Sequence, residues 1–172
     1  MSDSGEVLMR GGFRMRGGPI ISISNVKEIV DSNFLVSGIT DDLGMNLYMF
    51  LVGIDRDGNQ FMEVKEDFRF HAGAGTVELD DSGNIYIAGY TGSDRDDGCF
   101  MPPQDTDVFL IKLDSEGREI WRTVFEYPLE NRPFIMEITE QDEVLLVIRS
   151  FTYESRGLSD SYTHLVFWKS IG

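Results

Sequence analysis

Five aspartates crowd one stretch, Asp94-Arg95-Asp96-Asp97-Gly98 with Asp105 and Asp107 just beyond it, and clustered carboxylates are the ligands that a hard cation such as calcium takes. The spacing is not that of an EF-hand loop. With Gly98 as the sixth residue, Ser93 and Arg95 stand where ligands belong; Asp55-Arg56-Asp57-Gly58 fails in the same way, with Gly53 in the first position. Both stretches are expected to be solvated acidic turns, without metal or cofactor. His71 and His164 are the only histidines and Cys99 the only cysteine, too few and too scattered for a zinc site. No Gly-x-Ser-x-Gly elbow is present, so a serine hydrolase has no support. Carboxylates are plentiful, but plenty does not select an acid–base pair. The chain is expected not to be an enzyme.

Thirty acidic residues against 15 basic ones give a formal charge of -15. That balance disfavours nucleic-acid backbones and anionic membranes and favours solubility or a basic partner. Arg10-Gly11-Gly12-Phe13-Arg14-Met15-Arg16 has the look of an RNA-binding Arg-Gly-Gly segment, but such segments are normally disordered and basic, whereas this one aligns with a strand of the repeat described next. No secretory signal is visible at the start. The longest apolar stretch, Leu47 to Ile54, is too short for a membrane helix. A single cysteine forms no intramolecular disulfide and fits a reducing compartment, so the expected location is cytoplasmic.

The elements that must carry these residues read as strands. Apolar residues alternate, as in Ile85 and Ile87 or Val108 and Leu110, or form short runs bounded by Gly, Asp and Asn. One strand-turn-strand unit recurs: Leu113-Asp114 and Gly117 stand where Ile54-Asp55 and Gly58 stand, and Thr163 to Lys169 begins a third copy with His164 aligned on Asp107. Gly5 to Phe13 lines up without a gap on Gly117 to Phe125. Ahead of each unit lies a second element, Asp31 to Thr40 and Asp81 to Thr91, with Gly38 on Gly89 and Thr40 on Thr91; Glu143 to Ser150 is its degenerate third copy. A further short strand precedes each of these, at Ile20 to Ser24, Gly75 to Leu79 and Phe134 to Ile138. Four short strands per repeat is the pattern of a β-propeller blade.

Gly89-Tyr90-Thr91, followed by Asp107 to Asp114, Gly117 and Trp121, resembles the bacterial β-propeller repeat families, whose blades carry a Gly-Tyr-Thr, an Asp-apolar-Lys-Leu-Asp run, a Gly turn and a Trp. The match is good over 75–125, fair over 20–65 and poor over 134–172. The resemblance implies an all-β, propeller-like fold and a binding scaffold, with no shared catalytic residues. Residues 1–172 are expected to form one domain: 1–13 an outer strand of a split blade, 14–65 the first blade, 66–125 the second, and 126–172 a third that lacks its outer strand. Propellers close with about four to eight blades, so three imply a partner. A head-to-tail homodimer of six blades, in which residues 5–13 of one subunit complete the third blade of the other, meets that need; excision from a longer propeller is the other reading.

The connections expected on one face are Asp41 to Met45, Gly92 to Asp105, Phe151 to Tyr162, Arg14 to Pro19, Glu66 to Ala74 and Glu126 to Pro133. Loops that exceed what a turn needs are the first place to look for function. They select Asp41, Asp42, Asp94, Asp96, Asp97, Asp105, Tyr127, Tyr153, Glu154 and Arg156 as candidate partner-binding residues. The expected function is a non-enzymatic scaffold presenting an acidic loop face to another protein. Two rivals remain: an intracellular immunity protein or inhibitor of a basic toxin, which the charge and size fit, and a carbohydrate-binding oligomeric propeller using Tyr90, Tyr127, Tyr153 and Tyr162.

Overall fold

A computed structural model describes residues 13–15, 18–41, 47–66, 68, 72–92, 106–126, 128–141, 143–154 and 157–169; at 153, 154 and 157–159 the backbone alone is described. The described residues are all-β. Eleven strands follow one another: β1 (Ile20–Glu28), β2 (Phe34–Asp41), β3 (Leu47–Ile54), β4 (Gln60–Glu66), β5 (Ala72–Leu79), β6 (Ile85–Gly92), β7 (Thr106–Leu113), β8 (Glu119–Phe125), β9 (Glu130–Ile138), β10 (Val144–Glu154) and β11 (Gly157–Trp168). Among the described residues the only helical element is a single 3₁₀ turn, Val30–Ser32. Every pairing of consecutive strands inside β1–β4, β5–β8 and β9–β11 is antiparallel, so the chain lays down three meanders. One parallel bridge, Thr106 opposite Glu130, ties the second meander to the third. Among the described residues no sheet closes on itself.

The turns repeat with the strands. Asp55, Asp80 and Asp114 each turn a carboxylate back onto the chain, Oδ1 accepting from the backbone N–H groups two and four residues on at 2.7–3.0 Å. Thr139 does the same with its hydroxyl, accepting from Gln141 and Glu143. The glycines of the three Asp turns, Gly58, Gly83 and Gly117, have φ of 80–85°, a left-handed conformation that glycine adopts at little cost. In the turn from β1 to β2 that conformation falls on Asp31 and Ser32 instead.

Face-to-face packing of the meanders makes the core. Leu35, Met49 and Leu51 of the first meet Ala74, Val77, Ile85, Ile87, Phe109 and Ile111 of the second. On its other face the second offers Tyr86, Ala88, Val108 and Leu110 to Met136, Val144, Leu146 and Ile148 of the third. Central strands β2, β3, β6 and β7 are buried on both faces, which explains why they read as unbroken apolar runs. Outer strand β8 alternates. Ion pairs clip the first two meanders at both edges, Lys27 to Glu78 between β1 and β5 and Arg122 to Glu66 between β8 and β4.

The glycines matched between repeats have one job. A Cβ on Gly38 would lie 2.0 Å from the Ser22 carbonyl oxygen and 2.9 Å from the Phe50 ring; on Gly89 it would lie 2.3 Å from the Gly73 carbonyl and 2.2 Å from Phe109. Each central phenylalanine fills the space that its facing glycine leaves. In the third meander Ile148 takes the glycine position, and the residue facing it is His164. That pairing corrects the sequence alignment of His164 on Asp107: Trp168 faces Val144 as Leu113 faces Ile85, so β11 sits two residues from the register that lines up Lys169 with Lys112. Parity is kept, so each side chain stays on its expected face.

Candidate interaction surface

In a meander successive connections alternate ends. The connections 29–33, 55–59, 80–84, 114–118 and 139–143 are all five-residue turns closed by a bond from the first N–H to the last carbonyl at 2.8–3.1 Å. They share one end of the fold. The strand ends joined by 42–46, 67–71, 93–105, 126–129 and 155–156 lie at the other. Length varies only there, so this loop end is the candidate functional surface.

A buried polar knot underlies it. Asn131 and Thr106 bind each other three times: Asn131 N–H donates to Thr106 Oγ1 at 2.7 Å, Thr106 Oγ1 to the Asn131 carbonyl at 2.7 Å, and Asn131 Nδ2 to the Thr106 carbonyl at 2.8 Å. The Ser150 hydroxyl donates to Asn131 Oδ1, and Asn131 Nδ2 also reaches the Leu129 carbonyl. Leu129 itself has φ 86°, a strained conformation for a non-glycine residue. In the first meander Thr40, buried like Ser150, donates to the Pro19 carbonyl at 2.9 Å. Thr40, which stands at the place of Thr91 in the Gly-Tyr-Thr motif, and Ser150 in the copy that reads as degenerate therefore each clamp the segment at the start of their meander's first strand.

Beside the knot, Glu130 is buried and accepts from Arg132 Nε at 2.7 Å. The Arg132 guanidinium lies 4.6 Å from the Tyr90 ring centre. Burial raises the Tyr90 pKa above its usual value, with the Arg132 charge opposing and Glu130 reinforcing. The arrangement fixes a half-exposed cation on an aromatic face. Sequence reasoning assigned Glu126 to Pro133 to a loop and missed these residues. β9 begins at Glu130 and β5 at Ala72, where the sequence reading left loops reaching Pro133 and Ala74.

Of the residues expected to bind a partner, Asp41 is half-buried at the end of β2. Tyr153 and Glu154 are on β10, and their side chains are outside the description; Asp42, Asp94, Asp96, Asp97, Asp105, Tyr127 and Arg156 lie outside the described residues. The expected loop Phe151 to Tyr162 is corrected: β10 and β11 stay paired out to Glu154 and Gly157, so only 155–156 separate them. Tyr162 is an exposed strand residue. Among the described residues no three His, Cys, Asp or Glu side chains come together as a metal cluster, and no helix is long and apolar enough to cross a membrane. A shallow depression of about 540 Å³ on β4, lined by Arg14, Gln60, Phe61, Met62, Glu63 and Lys65, gathers no catalytic set.

The two terminal sheet faces are the other notable surfaces. The outer face of the third meander exposes Ile135, Leu165 and Phe167, with Arg149 lying over Phe134 and Phe151 at 5.3 and 5.4 Å. On the first meander, β1 exposes Ile23 and Val26 next to a cluster of Val36, Phe50, Val52 and Ile54, over which Phe13 and Met15 pack. No protein-family profile matches the chain, and a search of curated proteins finds no relative.

Proposed function

We propose that the chain is a non-enzymatic interaction protein built as part of a β-propeller, with its loop end as the surface that binds another protein. In that reading the meanders are blades of the bacterial propeller-repeat type, residues 14–65, 66–125 and 126–172, and a second copy supplies a further three. The observation that carries the binding surface is the division of connections: five turns of one length at one end, and every connection of variable length at the other, above a buried polar base. The connection that carries Asp94, Asp96, Asp97 and Asp105 joins strand ends that lie at that loop end, Gly92 and Thr106, and the chain carries a net charge of -15, so the partner is basic. Electrostatic complementarity of this kind acts chiefly on association rate and specificity.

A lysine-rich peptide titrated by fluorescence anisotropy tests this. Replacing Asp94, Asp96 and Asp97 with Asn should weaken binding several-fold at low salt, with the difference closing as salt rises. The control removes the same charge from the turn end, with Asp57→Asn, Glu116→Gln and Glu140→Gln. Equal weakening by both variants would mean that only net charge is being read, and the loop end would lose its role.

A further inference from the structure

We propose that the open face of β9–β11 docks on the backward face of β1–β4 of a second copy, over its exposed β1 and the Phe13 and Met15 that cover its centre, head to tail and twice over, so that two chains close into one assembly. The proposal rests on the propeller reading and names its partner as this same chain.

Position-by-position burial carries it. Strand register makes Leu51, Leu110 and Leu165 equivalent, each on the third strand of its meander and each facing the next meander along the chain. The first two are 0% exposed, and Leu165 is 66% exposed. The opposite face shows the mirror of this pattern. Val26, Val77 and Met136 occupy one position on the first strand of each meander and face backwards along the chain; Val77 and Met136 are 1% and 2% exposed, and Val26 is 60% exposed. A forward face of the kind that packs twice within the chain is therefore left open at one end, and at the other a backward face is left open along β1, while Phe13 and Met15 lie over its centre on β2 and β3. A second copy supplies what each face lacks.

Residues 13–15 fit this docking. Phe13 packs on Phe50 at 6.1 Å between ring centres, and Phe68 stacks on the equivalent Phe109 at 4.3 Å where the first two meanders meet. An aromatic side chain over the central phenylalanine is thus a feature of an occupied face within the chain. Among the described residues no fourth strand pairs with β11 as β4 and β8 pair with β3 and β7 in the other two meanders. Residues 5–13, which align with β8, are the segment that a docked copy would bring to that edge. Apolar sheet faces and unpaired edges are features that soluble proteins cover.

Light scattering on the size-separated intact protein should give twice the 19.5 kDa of one chain. Leu165→Glu and Val26→Glu should each weaken the pair at least about 100-fold, because a carboxylate is forced into a desolvated contact. Both side chains are exposed in the single chain, so the far-UV circular dichroism of the resulting monomers should match the parent. Val30→Glu, equally apolar and exposed but in the turn after β1, should leave the pair intact. A single-chain mass for the intact protein overturns the proposal and leaves the faces to another protein or to further repeats; so does a mass above two chains, which denotes an open head-to-tail array. Disruption by only one of the two glutamate variants also overturns it, since a face that docks on its own kind is indifferent to the other. The peptide titration on the same samples separates the two readings: a failed pair with loop-specific peptide binding refutes the docking alone, and a pair without loop-specific binding refutes the binding surface alone.

Discussion

Ser37 is buried in the middle of β2, and its Oγ has no hydrogen-bond partner among the described atoms. Its equivalents in the other meanders are Ala88 and Val147, so the site accepts an apolar group. Ser37→Ala should raise stability by about 1 kcal/mol, read as a higher urea midpoint with an unchanged slope; a drop would show that the hydroxyl is satisfied. Gly89 and Gly83 make a contrasting pair. Alanine at Gly89 meets the Gly73 carbonyl and the Phe109 ring, and overpacking of this kind costs about 3 kcal/mol. Alanine at Gly83 meets nothing within 4 Å but is held at φ +80°, a conformational penalty of about 1 kcal/mol. Reversal of that order in thermal melts would show that the neighbours of Gly89 yield to a methyl group, so that space is not what the repeat preserves.

At the scale of an element, one turn is tied to a strand beyond the pair it joins. Asp80 heads the turn from β5 to β6, and Lys112 on β7 reaches its Oδ2 at 3.0 Å while lying 4.8 Å from the Tyr86 ring centre. Burial alone would raise the Asp80 pKa, but the Asn84 amide, Lys112 and the Asn84 N–H together hold it below the ordinary carboxylate value. A depressed folded-state pKa means that the stabilisation is complete above the unfolded-state value and is lost as pH falls through the folded one. Asp80→Asn should therefore cost about 2 kcal/mol at neutral pH, since it strands a mostly buried Lys112. The difference from the parent should shrink as pH falls through the lowered folded-state value of Asp80. A gap that persists in acid would assign the loss to the turn's hydrogen bonds instead. Outer strand β8 is tied across the second interface by Trp121, edge-on to Tyr86 at 5.9 Å and tilted against Trp168 at 4.3 Å. Trp121→Ala should cost about 3 kcal/mol; a change below about 0.5 kcal/mol would mean that β8 does not help hold the third meander.

At the scale of the whole molecule, the meanders stack in chain order with the same faces inward, so stability is approximately a sum of meander and nearest-neighbour terms, as in other repeat proteins. Removing residues 1–12 tests the assembly separately from the fold. The truncation leaves Phe13 and Met15 on the first meander, so the chain should remain folded by circular dichroism but run at the mass of one copy. A truncated protein that still pairs would show that the sheet faces suffice and that β11 needs no fourth strand.

The sequence by itself determined the strand class, the turn positions and much of the repeat. Periodicity and punctuation are local, and Asp55, Asp80 and Asp114 close their turns with atoms no more than four residues away. It also marked Gly38 and Gly89 as equivalent, though not why, because the Ser22 and Gly73 carbonyls that exclude a side chain lie on neighbouring strands. Tertiary structure decided the register of β11, where an apolar run permits more than one alignment of equal parity and only pairing with β10 chooses. It decided the starts of β5 and β9 as well. Gly73 and Ala74, like Glu130 and Asn131, read as loop by residue type, and they become strand through close packing at the one and the Thr106 and Ser150 bonds at the other. Burial was the least legible property of all. Leu51, Leu110 and Leu165 are the same residue in the same setting along the chain, and whether each is covered depends on a sheet face that no local pattern encodes.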